Sequence, residues 1–420
     1  MAGSRDGQKS FFPSQLLRGW IDEGRARPSI MTRDVDVDIH SNALAGKNVA
    51  LGVTGGIAAT ETVRICRELR RHGASVSVIM TTAATNVITP LAVEWASQSN
   101  VIFDWSPEMS QLERFDAVLV TPASRNFISR YVNGMMDHPL LMTCSAARGR
   151  GTPIVLVPSM HKDLYDDPVT HDLLDSVSNA SIILGPFEEG RYKQPDPVQI
   201  VAELCHRVNA STASMHIAIT LGANRAPIDS VRAIQNASSG QTGWYIAEYL
   251  HRYGHTVTAI AGKTSADPSF TLPNVIRAGS PDEMLEQCMI VAKSKPGGWI
   301  HAAAVLDYYT APLDGKKASG DNQWILELQP GPKHISELSA HIGDARRIGF
   351  KLETNVTVDE LRQRAIAQIE TYGVDATVAN IMEQMHDPDS PRAYFVTEDG
   401  MEELQNMNDM CESIVNALTS

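Results

Sequence analysis

Twice along this chain a continuous apolar stretch runs into a glycine-rich turn and then into an amphipathic helix. KNVALGV (47–53) leads through TGGIAA (54–59) into TETVRICRELRRHG (60–73) and on to ASVSVIMT (74–81). From His216 the pattern restarts as HIAITL, a long small-residue turn, the helical QTGWYIAEYLHRYG, and HTVTAIAG. Strands that are apolar without alternation are buried on both faces, and intervening helices supply the covers, so both halves predict a doubly wound, parallel α/β sheet. DAVLVTPAS, TPIVLVPSM and ASIILGP continue the first half; GGWIHAAAV, RRIGFKLE and ATVANI continue the second.

At 420 residues the chain exceeds what one core usually organises, which favours two domains of roughly 150 to 200 residues. The expected division is a loose N-terminal extension over 1–43, with Met31 a second candidate start, and a first domain over 44–205. A polar linker over 206–215, containing RVNASTASM, separates it from a second domain over 216–420. No residue-level repeat relates the halves.

Composition narrows the function classes. With 43% hydrophobic and 20% charged residues the chain reads as soluble and globular. A net charge of −13 argues against nucleic-acid and anionic-membrane surfaces, which need clustered Lys and Arg, so any phosphate must be held locally. No apolar run reaches about 18 residues, and the N-terminus lacks a secretory pattern. The five cysteines have no paired spacing for zinc or a disulfide framework, which fits a reducing cytoplasm. No metal-ligand cluster stands out.

The most informative segment is LGANRAPIDSVRAIQNASSGQTG (221–243). Gly222, Ser238, Ser239, Gly240 and Gly243 make a turn whose backbone N–H groups can approach phosphates beside a helix N-terminus, and Arg225 and Arg232 can add charge-assisted contacts. A tight turn flanked by ordinary surface arginines remains open on these residues alone.

The longer segment TLGANRAPIDSVRAIQNASSGQTG resembles the opening signature of phosphopantothenate-cysteine ligase, the second domain of the bifunctional coenzyme A biosynthesis flavoproteins. AAVLDYY (303–309), GFKLET (349–354) and VANI (378–381) resemble its later motifs in order. The resemblance implies a nucleotide that activates the 4'-phosphopantothenate carboxylate as an acyl nucleotidylate, followed by attack of the cysteine amine. It assigns Asn236, Ala303 and Asp307 to the intermediate and base, and Lys316 or Lys317 to the second half-reaction. Ala304, Phe350, Lys351, Arg364 and Asn380 are assigned to the nucleotide-binding side. Asn224 and Gln241 depart from the family pattern, and the loop holding the lysines is shortened. The resemblance implies Mg2+ bridging the phosphates of CTP or ATP, and a homo-oligomer.

LAGKNVALGVTGGIAA, MTTAATNVITP and TPASRNFI resemble the flavoprotein decarboxylase domain that precedes this ligase. They assign Thr54, Gly55, Gly56, Ile57, Thr82, Ser124 and Asn126 to FMN. Three decarboxylase features are missing: WSPEMSQLERF (105–115) has no histidine, PSMH places His161 where the family has Asn, and FEEGRYKQPDP (187–197) has no cysteine. The resemblance therefore implies a competent ligase fused to a degenerate decarboxylase domain, His161 being its candidate remnant. A non-catalytic flavin-binding scaffold and a fully bifunctional enzyme with reassigned residues are the alternatives.

Overall fold

The computed structural model describes residues 33–105, 107–189, 191–320, 323–385 and 387–420; residues 1–32, most of the expected N-terminal extension, lie outside the described residues. In the first domain the strands are β1 (Asn48–Val53), β2 (Ser75–Met80), β3 (Val101–Ile102), β4 (Ala117–Ala123), β5 (Ile154–Pro158), β6 (Met160–His161), β7 (Ser181–Ile182), β8 (Phe187–Glu188) and β9 (Arg191–Tyr192). Its helices are α1 (Thr62–Arg71), α2 (Thr82–Thr85), α3 (Pro90–Ser97), α4 (Arg125–Val132), α5 (Pro139–Arg150), α6 (Lys162–Tyr165), α7 (Pro168–Asp175) and α8 (Pro197–Asn209).

The second domain contains β10 (His216–Leu221), β11 (Arg225–Pro227), β12 (Ala233–Gln235), β13 (Thr256–Ala261), β14 (Val275–Arg277), β15 (Gly298–His301), β16 (Tyr308–Tyr309), β17 (Gln329–Pro330), β18 (Arg346–Glu353), β19 (Ala376–Ile381), β20 (Ala393–Val396) and β21 (Met401–Leu404). Its helices are α9 (Gln241–Arg252), α10 (Pro281–Ala292), α11 (His334–Glu337), α12 (Val358–Tyr372) and α13 (Met407–Thr419).

Both sheets are doubly wound, as the sequence pattern predicts. The first has strand order β3-β2-β1-β4-β5-β7 and is parallel throughout. The second has order β14-β13-β10-β15-β18-β19-β20-β21, parallel up to β19 and closed by two antiparallel strands. Strand order reverses between β1 and β4 in one and between β10 and β15 in the other, and ligands of open α/β sheets bind at the carboxyl ends of such strands.

Side-chain alternation explains the absence of polar alternation in the sequence. Along β1, Leu51 packs with Ile65, Leu69 and Val201 on one face, while its neighbour Ala50 packs with Leu140 and Leu156 on the other. Each fully buried Leu or Ile contributes roughly 1.5–3 kcal/mol. All five cysteines are free and buried, and no helix among the described residues is long and apolar enough to cross a membrane.

Two expected boundaries shift. Residues 33–43 dock on α1: Arg67 and Arg70 donate to the carbonyls of Asp36 and Val35, and His40 N–H donates to Arg71 O at 2.8 Å. The expected linker over 206–215 begins inside a helix, because α8 continues to Asn209. That helix joins the domains: the His206 and His251 rings stack at 4.3 Å, and Asn209 Nδ2 donates to Ala43 O and Arg252 O.

A buried polar layer lies under one face of the second sheet. Trp299 and Arg347 are cross-strand partners on β15 and β18, His301 follows two residues along β15, and His334 is only 5% exposed. Burial, reinforced by the Arg347 charge, pushes His301 down to about 3, and burial pushes His334 down to about 4. Both are neutral in the folded protein, whereas the unfolded chain takes up protons below about 6.5. Their contribution is therefore complete above that pH and is lost as pH falls toward 4. At pH 5 each should cost about 2 kcal/mol relative to pH 8. Thermal unfolding of the chain between pH 8 and 5 should show this loss, and His334→Gln should flatten the slope; an unchanged slope in the variant would remove His334 from the account.

Candidate functional site

At the carboxyl end of β10 the backbone is packed too closely for side chains. A Cβ on Gly222 would lie 2.9 Å from Lys263 O, and one on Gly240 would lie 2.5 Å from Thr264 Cγ2. Gly240 also has φ +81°, a left-handed conformation that glycine adopts without strain. Ala223 exchanges backbone hydrogen bonds with Lys263 at 2.9 and 2.7 Å, and Asn224 N–H donates to Ala304 O at 3.2 Å. The strand-to-helix turn is thus wedged between the segments that follow β13 and β15. Ser239 is buried, its carbonyl accepting from Ser265 and Ala266 N–H at 3.1 Å each, with Ser238 half-buried beside it.

Asn236 reaches across the crest. Its Nδ2 donates to Ala304 O and Val305 O, both at 3.1 Å, which ties the glycine turn to the 303–307 segment. Ala303 and Ala304 are themselves fixed, through Ala303 N–H to Thr220 Oγ1 and Ala304 N–H to Gly222 O. Asp307 follows on this loop and accepts a hydrogen bond from Lys333 Nζ at 2.5 Å. Lys333 carries no sequence motif, and only the folded arrangement brings it here.

Asp229 anchors the opposite rim. Its side chain is buried, which raises its carboxyl pKa, but N–H bonds from Val231, Arg232 and Lys317 and the Arg232 guanidinium outweigh this and hold it at about 2. Arg232 is consequently turned onto the protein: it pairs with Asp229, donates to Lys317 O at 3.2 Å, and lies 5.3 Å from the Trp324 ring centroid. Lys317 Nζ lies 5.4 Å from the same ring, while Lys316 and Arg225 are exposed.

Further along, Lys351 and Arg364 share one carboxylate, Glu353, and both line an open cleft with Lys333, Ile335 and Gln368. Phe350, one residue earlier, packs into the core on the other face. Asn380 is buried, and its Nδ2 donates to Arg392 O at 2.9 Å, so it ties two strands. Asn224, the departure noted in the sequence, is fully buried and donates to Ser280 O at 3.3 Å. No group of three or more His, Cys, Asp or Glu among the described residues could hold a metal ion.

In the first domain the switch point is built around Thr54. Its Oγ1 donates to Pro122 O at 2.7 Å and accepts from Ser124 N–H at 2.9 Å, stapling β1 to β4. A Cβ on Gly55 would lie 2.4 Å from Ala83 Cβ, whereas Gly56 has only Pro122 nearby and Ile57 is 73% exposed. Ser124 Oγ caps α4 by accepting from Phe127 N–H, and Thr81, rather than Thr82, caps α2. Thr82 and Asn126 are exposed on the same crest. This open, small-residue crest beside two helix N-termini fits a flavin phosphate. His161 stands elsewhere, on β6, where it caps α6 and lies 3.3 Å from Asp163, its side chain 62% exposed.

Two family models match in sequence: Flavoprotein over 37–209, and DNA/pantothenate metabolism flavoprotein C-terminal domain over 212–420. They define the class, a flavoprotein domain fused to a ligase-type domain. The coenzyme A biosynthesis bifunctional protein CoaBC of Thermococcus kodakarensis is 35% identical over 353 residues, covering 81% of this chain and 87% of its own. That of Escherichia coli (strain K12) is 31% identical over 367 residues, covering 81% and 88%. A DNA/pantothenate metabolism flavoprotein from Streptococcus pneumoniae is similar in structure with a TM-score of 0.44 and 25% identity, over 48% of this chain and 97% of that one. The chain belongs to the CoaBC family of bifunctional coenzyme A biosynthesis proteins.

Removing the Asp229 carboxylate should loosen the rim it holds. In Asp229→Ala, the amides of Val231, Arg232 and Lys317 should exchange faster with deuterium, and trypsin should cut at Lys316 and Lys317 more rapidly than in the parent. Unchanged exchange at all three amides would show that the rim is held by other contacts.

Proposed function

We propose that the second domain joins cysteine to 4'-phosphopantothenate in a nucleotide-driven amide synthesis. A carboxylate oxygen of 4'-phosphopantothenate attacks the α-phosphorus of CTP or ATP and pyrophosphate leaves. The cysteine amine then attacks the acyl carbon, loses a proton, and displaces the nucleoside monophosphate. The observation that carries this reading is the convergence of the glycine turn, Asn236 and the 303–307 loop on one crest at the β10/β15 switch point.

The chemistry asks for donors placed before charge develops. Backbone N–H groups of Gly222 at the end of β10, and of Ser239 and Gly240 at the start of α9, face the phosphates, while Ser238 N–H closes the turn onto Asn236 O. Asn236 orients the acyl group, and Ala303 and Ala304 offer main-chain contacts beside Asp307. Lys351 and Arg364 supply positive charge, Phe350 and Asn380 brace the strands behind them, and Mg2+ travels with the nucleotide phosphates. Lys316 or Lys317 serves the second half-reaction in this reading, Lys316 being the one not held against Trp324.

The first domain, in this proposal, holds FMN through Thr54, Gly55, Gly56, Ile57, Thr82, Ser124 and Asn126. A bound flavin supplies two-electron redox chemistry. This chain's own residues do not complete a decarboxylase around it: 105–115 has no histidine, His161 is solvated and engaged as a cap, and the short β8–β9 turn has no cysteine. The reading places the protein in the reducing cytoplasm as a homo-oligomer acting on small molecules, in keeping with five unpaired thiols.

Purified protein should release pyrophosphate from CTP or ATP only when 4'-phosphopantothenate is present, and Asn236→Ala should lower turnover by about 10²–10³. Absence of release with either nucleotide would sink the ligase reading; wild-type turnover in the variant would misplace the site. With cysteine added, mass spectrometry should find phosphopantothenoylcysteine as the end product. Carbon dioxide and phosphopantetheine would instead establish an active first domain.

A further inference from the structure

We propose that Lys333 is a ligand of the nucleotide's phosphate chain, held in position by Asp307; the proposal rests on the ligase reading above and adds a residue to it. The turn carrying Lys333 is fixed from both sides. On one side β16 and β17 pair through Tyr308 and Pro330, and Gly331 N–H donates to Asp307 O at 2.9 Å. A Cβ on Gly331 would lie 2.3 Å from Tyr309 Cε1, and the Tyr309 hydroxyl donates to Asp282 at 3.1 Å. On the other side, His334 and Leu338 are buried at 5% and 0% exposure. A lysine between these anchors loses little further freedom when it binds.

The ammonium carries three N–H donors, and Asp307 Oδ1 takes one. Asp307 sits on the loop that Asn236 ties to the glycine turn. Lys333 also lines the open cleft shared with Lys351 and Arg364. Glu353 is shared between those two cations, so three positive groups stand against two carboxylates, Asp307 and Glu353, in one wall. That wall fits a polyanion better than a neutral ligand. Lys317 is diverted onto Trp324 and its backbone N–H is bound to Asp229, which leaves Lys333 as the ammonium fixed beside the acyl-site loop.

The test measures calorimetric binding of CTP and of ATP, and pyrophosphate release with 4'-phosphopantothenate, for the full chain and for Lys333→Met, Lys333→Arg and the double variant Asp307→Asn/Lys333→Met. Lys333 is half exposed, so the fold should survive, as thermal unfolding of each variant will report. Lys333→Met should weaken binding of the preferred nucleotide and raise its KM about tenfold or more. Lys333→Arg should recover most of that loss, and the double variant should remain as weak as Lys333→Met. Affinity within twofold of the parent in Lys333→Met, or recovery to parental affinity in the double variant, would overturn the proposal, because either result reduces the pair to a loop tether. A parent protein that binds nucleotide yet releases no pyrophosphate would defeat the ligase reading alone, with the affinity comparison still deciding Lys333.

Discussion

The arrangement of both domains depends on how closely backbone can approach backbone at the two points where strand order reverses. At Gly55 a single added carbon would lie 2.4 Å from Ala83 Cβ, and at Gly240 it would lie 2.5 Å from Thr264 Cγ2. With no side chain in the way, neighbouring segments close on the turn and make backbone hydrogen bonds to it, as Lys263 and Ala304 do around residues 223 and 224. Asn236 and Asp307 face one another's loops only because this closure has already happened. The site is a product of packing before it is a set of functional groups.

Cations around the ligase crest are held on carboxylates. Arg232 rests on Asp229, Arg364 and Lys351 on Glu353, and Lys333 on Asp307. On the proposed ligase reading, a chain of net charge −13 thus presents positive charge to a nucleotide through Lys333, Lys351 and Arg364 without a broad basic surface. Fixing these groups in advance lowers the reorganisation needed when negative charge builds up in the transition state. The buried Asp229 is the firmest of these anchors, and it shapes the rim while remaining out of reach of any ligand.

The architecture was legible because strands buried on both faces read as uninterrupted apolar runs, and Leu51 and Ala50 facing opposite cores show why. The ends of elements were less legible. The docking of 33–43 runs through backbone carbonyls met by Arg67 and Arg70, which leave no periodic trace. The α8 helix continues past the expected boundary because its last turn, from His206 to Asn209, closes against the second domain through the His206–His251 ring stack and the Asn209 bond to Arg252 O. Within the site, the Asn236 segment carried its own signature. Arg232, Ser124 and Asn380 also make bonds within the protein that no motif announces: a rim clamp on Asp229, a helix cap on α4 and a tie to Arg392 O. Lys333 was invisible because its neighbourhood is made by a loop closing over some 26 residues of chain.

The burial of every cysteine has a consequence for a protein whose proposed substrate is itself a thiol. Desolvation pushes Cys66, Cys144, Cys205 and Cys288 up to about 12, and Cys411 well above its ordinary value. Only the thiolate attacks a disulfide, and at neutral pH such groups are ionised to about one part in 10⁵. The sulfur atoms of the chain are thus silent toward cystine and mixed disulfides, and the reactive sulfur near the crest is the one the substrate brings.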